Sequence, residues 1–187
     1  MAMLQFLRSK IKAQSPVMPC KRDPYRTGRP ILAVEAWHDP AMSDLEVKRL
    51  VSGDEAAGIM FAMMAAVFGE SSEPLSDEYL DKLLGRDSFW AIAAFDGGDV
   101  VGGLTAHTLP MTRSASSEIF IYDLAVRDDH QRQGVATRLV LKLRTAAALM
   151  GIHEIFVAAD NDDVDALDFY RAQGATASPV TFFTFTR

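Results

Sequence analysis

Two textures of apolar residues alternate along this chain, stripes at helical spacing and short unbroken runs, and the changes between them mark its elements. Ile59, Met63 and Val67, flanked by Met60, Met64 and Phe68, predict a helix that Asp54 caps and Gly69 ends. Its methionines read as flexible core filler. Ser76 opens a second, short helix with Tyr79, Leu80, Leu83 and Leu84, closed by Gly85; Asp77 and Glu78 suit its positive start. Residues 89–95 and 100–109 are then apolar runs joined by Asp96-Gly97-Gly98-Asp99, which predicts a hairpin. Residues 118–126 form a further strand. Val135, Leu139, Leu143, Ala146 and Met150 make one stripe of a long helix stopped by Gly151. Residues 154–159 read as a strand, and 160–163 as an acidic turn whose aspartates can cap a helix at 164–173, where Ala166, Phe169 and Tyr170 lie. With a first strand at 46–51 and a closing one at 180–186, the order is β-α-α-β-β-β-α-β-α-β. Hairpins supply antiparallel pairs and strand–helix–strand a parallel one. The expected class is α/β, a mixed, mostly antiparallel central sheet with helices on both faces.

Residues 1–40 differ in kind. They are polar and basic and carry Pro16, Pro19, Pro24, Pro30 and Pro40, the makeup of an arm ahead of a domain at 41–187, with one short strand expected at 31–36. Seven basic residues and one acid precede Ile31, so that stretch carries +6; against a total of −6, the rest carries −12. An acidic body disfavours nucleic acid and suits a cationic partner, although acidity also serves solubility alone. At 187 residues, with 49% hydrophobic and 24% charged, the chain has the makeup of a single globular domain. Its longest apolar stretch, 59–68, falls short of the roughly 20 residues a bilayer demands. No signal peptide is read at 1–12, so the cytoplasm is the expected address, with no membrane association. Cys20 is the one cysteine, which excludes a disulfide framework or a cysteine-rich metal site; no metal is expected.

Chemistry concentrates at Gln131-Arg132-Gln133-Gly134-Val135-Ala136-Thr137, between a strand and an amphipathic helix. A pyrophosphate needs several donors converging from one side, and the first turn of a helix offers free backbone N–H groups with a partial positive charge. Gly134 lets the main chain approach without a Cβ, Ala136 keeps the next turn low, and Thr137 adds a hydroxyl. No Lys-Ser/Thr pair follows the glycine, which excludes a nucleoside triphosphate loop, and no Gly-x-Gly-x-x-Gly is present for a dinucleotide. A glycine that merely eases the turn is the bland alternative.

The loop resembles the pyrophosphate motif of the GNAT superfamily of acyl-CoA-dependent acyltransferases, Gln/Arg-x-x-Gly-x-Gly/Ala, through Gln131, Gly134 and Ala136. The order of elements from Glu46 onward is similar too. The resemblance implies acetyl-CoA as cosubstrate and a splayed strand pair, 118–126 beside 154–159, with pantetheine in the gap. Main-chain groups of Leu124, Ala125 and Val126 would bond that pantetheine as an added strand does. A narrower likeness covers residues 79–174. Ser88-Phe89-Trp90-Ala91-Ile92-Ala93-Ala94-Phe95-Asp96 and Glu118-Ile119-Phe120-Ile121-Tyr122-Asp123-Leu124-Ala125-Val126 look like the GNAT-type aminoglycoside 3-N-acetyltransferases. That family implies transfer of acetyl to the 3-amino group of antibiotics such as gentamicin, with resistance as the outcome. Two departures stand out: the arm before Ile31 is longer, and the turn Asp160-Asn161-Asp162-Asp163-Val164 lacks a proline after its acidic pair.

Direct transfer from a thioester to an amine needs a neutral amine, a polarised carbonyl, a proton acceptor and a proton for the thiolate. Cys20, in the Pro-containing arm, is a poor nucleophile candidate. The family resemblance implies Tyr170 as general acid, and a phenol of reference pKa about 10 is protonated at neutral pH; its spacing from Ala166 also suits a core tyrosine. Asp123 is a carboxylate inside an apolar strand, costly unless paired or facing a cavity, and so either a satisfied structural acid or a substrate-facing base. Glu118 and Tyr122 flank it and would orient substrate. Asp162 and Asp163, with Glu70 or Glu73, are candidates to surround a polycation. His107 and His130 are alternative bases. The competing readings are a polyamine or protein N-acetyltransferase, or a non-catalytic CoA-binding module; a homodimer is left open.

Overall fold

The computed structural model describes residues 45–70 and 73–185. The basic arm, its expected strand at 31–36 and Cys20 lie outside them. Met42–Ala177 forms one compact unit, and the segment from Ser178 belongs to a second. The first unit holds a five-stranded sheet in the order β1-β2-β3-β4-β5. Its strands are β1 Glu46–Arg49, β2 Phe89–Asp96, β3 Asp99–Pro110, β4 Ser117–Val126 and β5 Ile155–Val157. The helices are α1 Ala56–Val67, α2 Asp77–Leu84, α3 Val135–Leu149 and α4 Val164–Ala172. β1 to β4 pair antiparallel, and β5 lies parallel beside β4. This is the mixed, mostly antiparallel sheet the patterning predicts.

The hairpin strands read as unbroken apolar runs because both of their faces are covered. Trp90, Ile92, Ala94, Leu104 and Ala106 pack with Val135, Leu139, Leu143 and Ala147 of α3. Phe89, Ala91, Ala93 and Phe95 pack with Ala57, Met60 and Met64 of α1 and Leu84 of α2. Each fully buried Leu or Met contributes about 1.5–3 kcal/mol by leaving water. Two neighbouring glycines of β3 set how close the helices come. A Cβ on Gly102 would stand 2.8 Å from Val135 Cγ1, and one on Gly103 would stand 2.6 Å from Met60 Cγ. At the hairpin tip, Gly97 (φ 58°) and Gly98 (φ 96°) both take the positive φ that a two-residue primed turn requires.

Several local expectations are corrected. Asp54 does not cap α1: its carboxylate accepts from the Val51 amide at 2.8 Å and closes the preceding turn, leaving Glu55 at the N-cap. Ile59 is 59% exposed while Ala57, Met60 and Met64 are buried. α1 is apolar nearly all round, so periodicity could not select its inner face; the space left by Gly103 does. Met150 is exposed at the end of α3, past the buried stripe. β1 and β5 are shorter than expected. No strand forms at 178–185: the sheet ends at β5, and an apolar segment without a ladder partner stays irregular however high its propensity. The other caps hold, with Ser76 accepting from the Tyr79 amide at 3.3 Å and Asp163 from the Ala166 amide at 2.9 Å.

Candidate active site

The site begins where β4 loses its neighbour. β4 pairs with β5 through Ile119, Phe120 and Ile121 only, while β4 itself runs on to Val126. Beyond Ile121 the edge of β4 is open on the β5 side. Antiparallel pairing makes main-chain groups point alternately toward and away from the partner strand. The Arg127 amide bonds the Val101 carbonyl at 2.9 Å, which turns Arg127 and Ala125 toward β3 and Leu124 and Val126 outward. Of the three residues expected to offer main-chain groups along this edge, Leu124 and Val126 present theirs to the gap, and Ala125 bonds within the sheet.

A bulge then decides which way the carboxylate points. Ala106 pairs with Ile121, but Thr105 pairs with Asp123, so Tyr122 is the extra residue. Without it, Asp123 would oppose Leu104, whose side chain is in the core under α3. With it, Asp123 shares the α1 face with Thr105. A bulge of this kind re-aims a strand's side chains. Thr105 is buried at 5% exposure, and its hydroxyl donates to Asp123 Oδ2 at 3.3 Å. Burial pushes the Asp123 carboxyl above its ordinary value; the Thr105 hydrogen bond works against that shift, and the negative charge of Glu70 adds to it.

Aromatic rings continue this face. His107 lies 5.2 Å from Phe89 and 5.9 Å from Tyr122, ring centre to ring centre, and Phe120 is 6.1 Å from Tyr122 and 5.2 Å from Phe156. Burial first, and then the Arg86 charge, hold His107 below its ordinary pKa, so it is neutral at pH 7. Tyr170, on α4, is half-buried; burial, then Asp163, then Asp123 push its phenol up to about 12. The charge of Asp123 thus reaches Tyr170. Glu70 joins them by its effect on Asp123, whereas Glu73 is exposed on the segment before α2. Glu118 lies five residues before Asp123 on β4, about 15 Å away along an extended chain. Asp163 spends its carboxylate on capping α4, and Asp162 stands exposed on the turn, its amide bonded to Asp160 Oδ1 at 3.0 Å.

The cradle lies past the end of β4. Arg127 and His130 both bond Asp129, whose carboxyl falls to about 2, and His130 also reaches Asp96 at 3.2 Å. These contacts tie the approach loop to the β2–β3 hairpin. Gln131 Nε2 donates to the Val126 carbonyl at 3.3 Å and to Asp128 Oδ1 at 3.0 Å; Gln133 Nε2 donates to the Asp129 carbonyl at 2.8 Å. Both glutamine side chains thus fold the loop back on itself. Arg132 takes φ 61°, rare for a side-chain-bearing residue, and its guanidinium is exposed and pairs loosely with Asp165 at 3.5 Å. Gly134 caps α3 with φ 81°. The first rung of the helix is the Arg138 amide on the Gly134 carbonyl, so the amides of Val135, Ala136 and Thr137 precede the ladder and point out of the helix start. Thr137 Oγ1 accepts from Gln173 Nε2 at 3.2 Å, which joins α3 to α4.

An open strand edge, a carboxylate on that strand, a phenol within reach of its charge, and a helix start whose first amides precede the ladder together suit a phosphorylated thioester and an amine. Residues 58–175 match the Acetyltransferase (GNAT) family. The chain belongs to the GNAT family of acetyltransferases. No curated protein matches it. Among solved structures, this GNAT protein is similar to the aminoglycoside acetyltransferase meta-AAC0020 from an uncultured soil metagenomic sample, in complex with trehalose. That match has 34% identity and a TM-score of 0.70, covering 76% of this chain and 97% of that one. The aminoglycoside acetyltransferase HMB0005, also from an uncultured soil metagenomic sample, is 33% identical with a TM-score of 0.72, covering 77% of this chain and 99% of that one. A ribosomal-protein-alanine N-acetyltransferase from Brucella melitensis biovar Abortus 2308, 20% identical with a TM-score of 0.62, covers 77% of this chain and 99% of that one and shares the fold.

Sequence reasoning left one polar member of the site unnamed. Thr105 sits inside a run read as uniformly apolar, and its hydroxyl gains meaning only once the register sets it opposite Asp123. Among the described residues, no cluster of His, Cys, Asp and Glu could hold a metal ion, and no helix is long and apolar enough to cross a membrane.

Proposed function

We propose that this acetyltransferase moves the acetyl group of acetyl-CoA to the 3-amino group of an aminoglycoside's deoxystreptamine ring, and that it confers resistance to gentamicin-like compounds. The observation that supports this reading best is a part-buried carboxylate, Asp123, on the strand whose edge is open and with its charge reaching Tyr170, in a chain a third identical to aminoglycoside acetyltransferases. One of those relatives, meta-AAC0020, has also been solved with sisomicin.

The amides of Val135, Ala136 and Thr137 would hold the pyrophosphate, with Gln131 keeping the loop folded, and Leu124 and Val126 would bond the pantetheine in the manner of a strand. Asp123 takes the proton that the amine sheds as the N–C bond forms. Its raised pKa makes it a better base than an exposed aspartate. Tyr170 donates a hydrogen bond to the departing sulfur. With its phenol near 12 against about 8.5 for an ordinary thiol, the donor stabilises thiolate more readily than it gives up its proton. Tyr122, set edge-to-face against His107 and Phe120, offers an aromatic surface for a sugar ring, and Asp162 and Glu70 offer negative charge to the remaining ammonium groups.

A panel of amines assayed for CoA release tests the assignment. Gentamicin and sisomicin should be acetylated far faster than spermidine or peptide amines, with NMR of the gentamicin product placing the acetyl group on the 3-amino nitrogen. Modification at another nitrogen overturns the 3-N assignment, and brisk turnover of spermidine or a peptide alone overturns the aminoglycoside reading.

A further inference from the structure

Thr105 is the one buried polar side chain among the described residues. It stands in a strand otherwise packed with Ala, Leu, Val and Gly, directly beneath α1, on the far side of the bulge from Ile121. A hydroxyl in such a place needs a partner, and it has one: Asp123 Oδ2, at 3.3 Å. Among the described residues, that is the single hydrogen bond given to the Asp123 carboxylate. Among the described residues, none bonds the other oxygen, Oδ1. The bulge turns Asp123 to the α1 face, and Thr105 fixes the carboxylate once it is there.

We propose that Thr105 is a positioning residue for Asp123, its buried hydroxyl anchoring Oδ2 so that Oδ1 is the oxygen offered to the acceptor amine. This rests on the reading of Asp123 as the proton acceptor. The hydroxyl acts in two ways. It locks one carboxylate rotamer. It also favours the ionised form, opposing burial and the negative charge of Glu70; the other groups facing this region are Tyr170 and Asp163 from α4 and its cap, and His107 from β3. A strand alanine or valine at this position would pack as well but leave Asp123 with burial alone.

The test compares Thr105→Val, of equal shape but without the hydroxyl, with Thr105→Ser, which keeps it. In the valine variant, the acidic limb of the kcat/KM profile should move up by on the order of one pH unit, the worth of a single hydrogen bond to a charged group. kcat should fall about tenfold while acetyl-CoA affinity stays at the parental value, and serine should restore both profile and turnover. Carbon-13 NMR titration of Asp123 supplies a readout independent of catalysis. A Thr105→Val protein with the parental NMR pKa and pH profile overturns the proposal, and so does a serine variant that behaves like valine. If Thr105→Val unfolds, Thr105→Ala against Thr105→Ser carries the same comparison. Failure of the Asp123 reading itself looks different: Asp123→Asn would keep its turnover, while the NMR shift in Thr105→Val persisted.

Discussion

At the scale of single residues, Asp123 links stability to activity with opposite signs. Its carboxyl pKa is raised in the folded chain, so at acid pH the protonated form is favoured there, and that contribution is lost as pH rises through the folded value. Above that value the ionised group opposes folding. Asp123→Asn keeps the hydrogen-bonding shape without the charge and should therefore be at least as stable as the parent at pH 7, with Tm equal or higher. Turnover should fall by roughly 10²–10⁴-fold, the usual worth of a general base. A drop in Tm with near-normal kinetics would mark Asp123 as a structural acid. Tyr170 carries the complementary expectation. Tyr170→Phe removes one hydroxyl from a half-buried ring beside Phe169, so packing should survive while turnover falls roughly 10-fold to 10³-fold, with acetyl-CoA affinity unchanged by calorimetry. A phenylalanine variant as fast as the parent would make Tyr170 a packing residue.

At the scale of elements, the cradle is a strand end, a folded loop and a helix start held in register by two glycines. Gly134 stands at φ 81°, where a β-branched residue is strained, and Gly134→Val would also project a Cβ at the helix start proposed to hold the phosphates. Acetyl-CoA affinity should fall at least tenfold, about 1.4 kcal/mol or more. Gly102→Ala tests the same cradle from beneath. Its new methyl would meet Val135 Cγ1 at 2.8 Å, on the first residue of α3, so the helix start must shift. Calorimetry should show weaker acetyl-CoA binding there too, while Arg132→Gly, which removes an exposed side chain and relieves a positive φ, should bind nearly as the parent does. Equal losses in all three would place the main contact on the Arg132 side chain.

These elements also show what could be read from sequence. The hairpin, the amphipathic α3 and the glycine loop were legible because each rests on a local rule: paired glycines with positive φ, a 3.6-residue stripe, a helix start without a Cβ. The bulge at Tyr122 was not. β4 is covered on both faces before it, so its apolar run carries no alternation from which a slip could be noticed. The Thr105–Asp123 contact needs that register and was hidden for the same reason. Asp123 itself was visible as a charge in an apolar strand, and which face it took was not. α1 failed in the same way as the bulge, since a helix apolar on all sides does not declare its inner face. The strand expected at 180–186 failed differently over its described residues, 180–185: their aromatic side chains promised a strand, but a strand exists only with a partner.

At the scale of the whole molecule, the charge distribution sets an expectation that separates the two substrates. Residues 31–187 carry −12; among their acids Glu70 acts on Asp123, Asp163 and Asp123 act on Tyr170, and Asp162 is exposed next to Asp163. The proposed acceptor bears several ammonium groups on rigid rings, and their mutual repulsion lowers each amine's pKa, so a neutral fraction exists near pH 7. The charges it retains are attracted to the acidic body, and attraction between exposed groups is screened over about 8–10 Å at physiological ionic strength. Raising KCl from 50 to 500 mM should therefore raise KM for gentamicin roughly several-fold. Acetyl-CoA is itself an anion, and the same acidic body repels it at long range. In the proposed reading it is held by amides at a helix start, short-range donors that salt screens little, so its KM should stay level or fall. Opposite responses in one series of assays exclude a general effect of salt on the enzyme. If both KM values rise together, salt is perturbing the fold or competing at the cradle. If gentamicin's KM is flat while acetylation proceeds, the acceptor is held by its rings against Tyr122 and its neighbours, and the acidic residues around the site serve solubility.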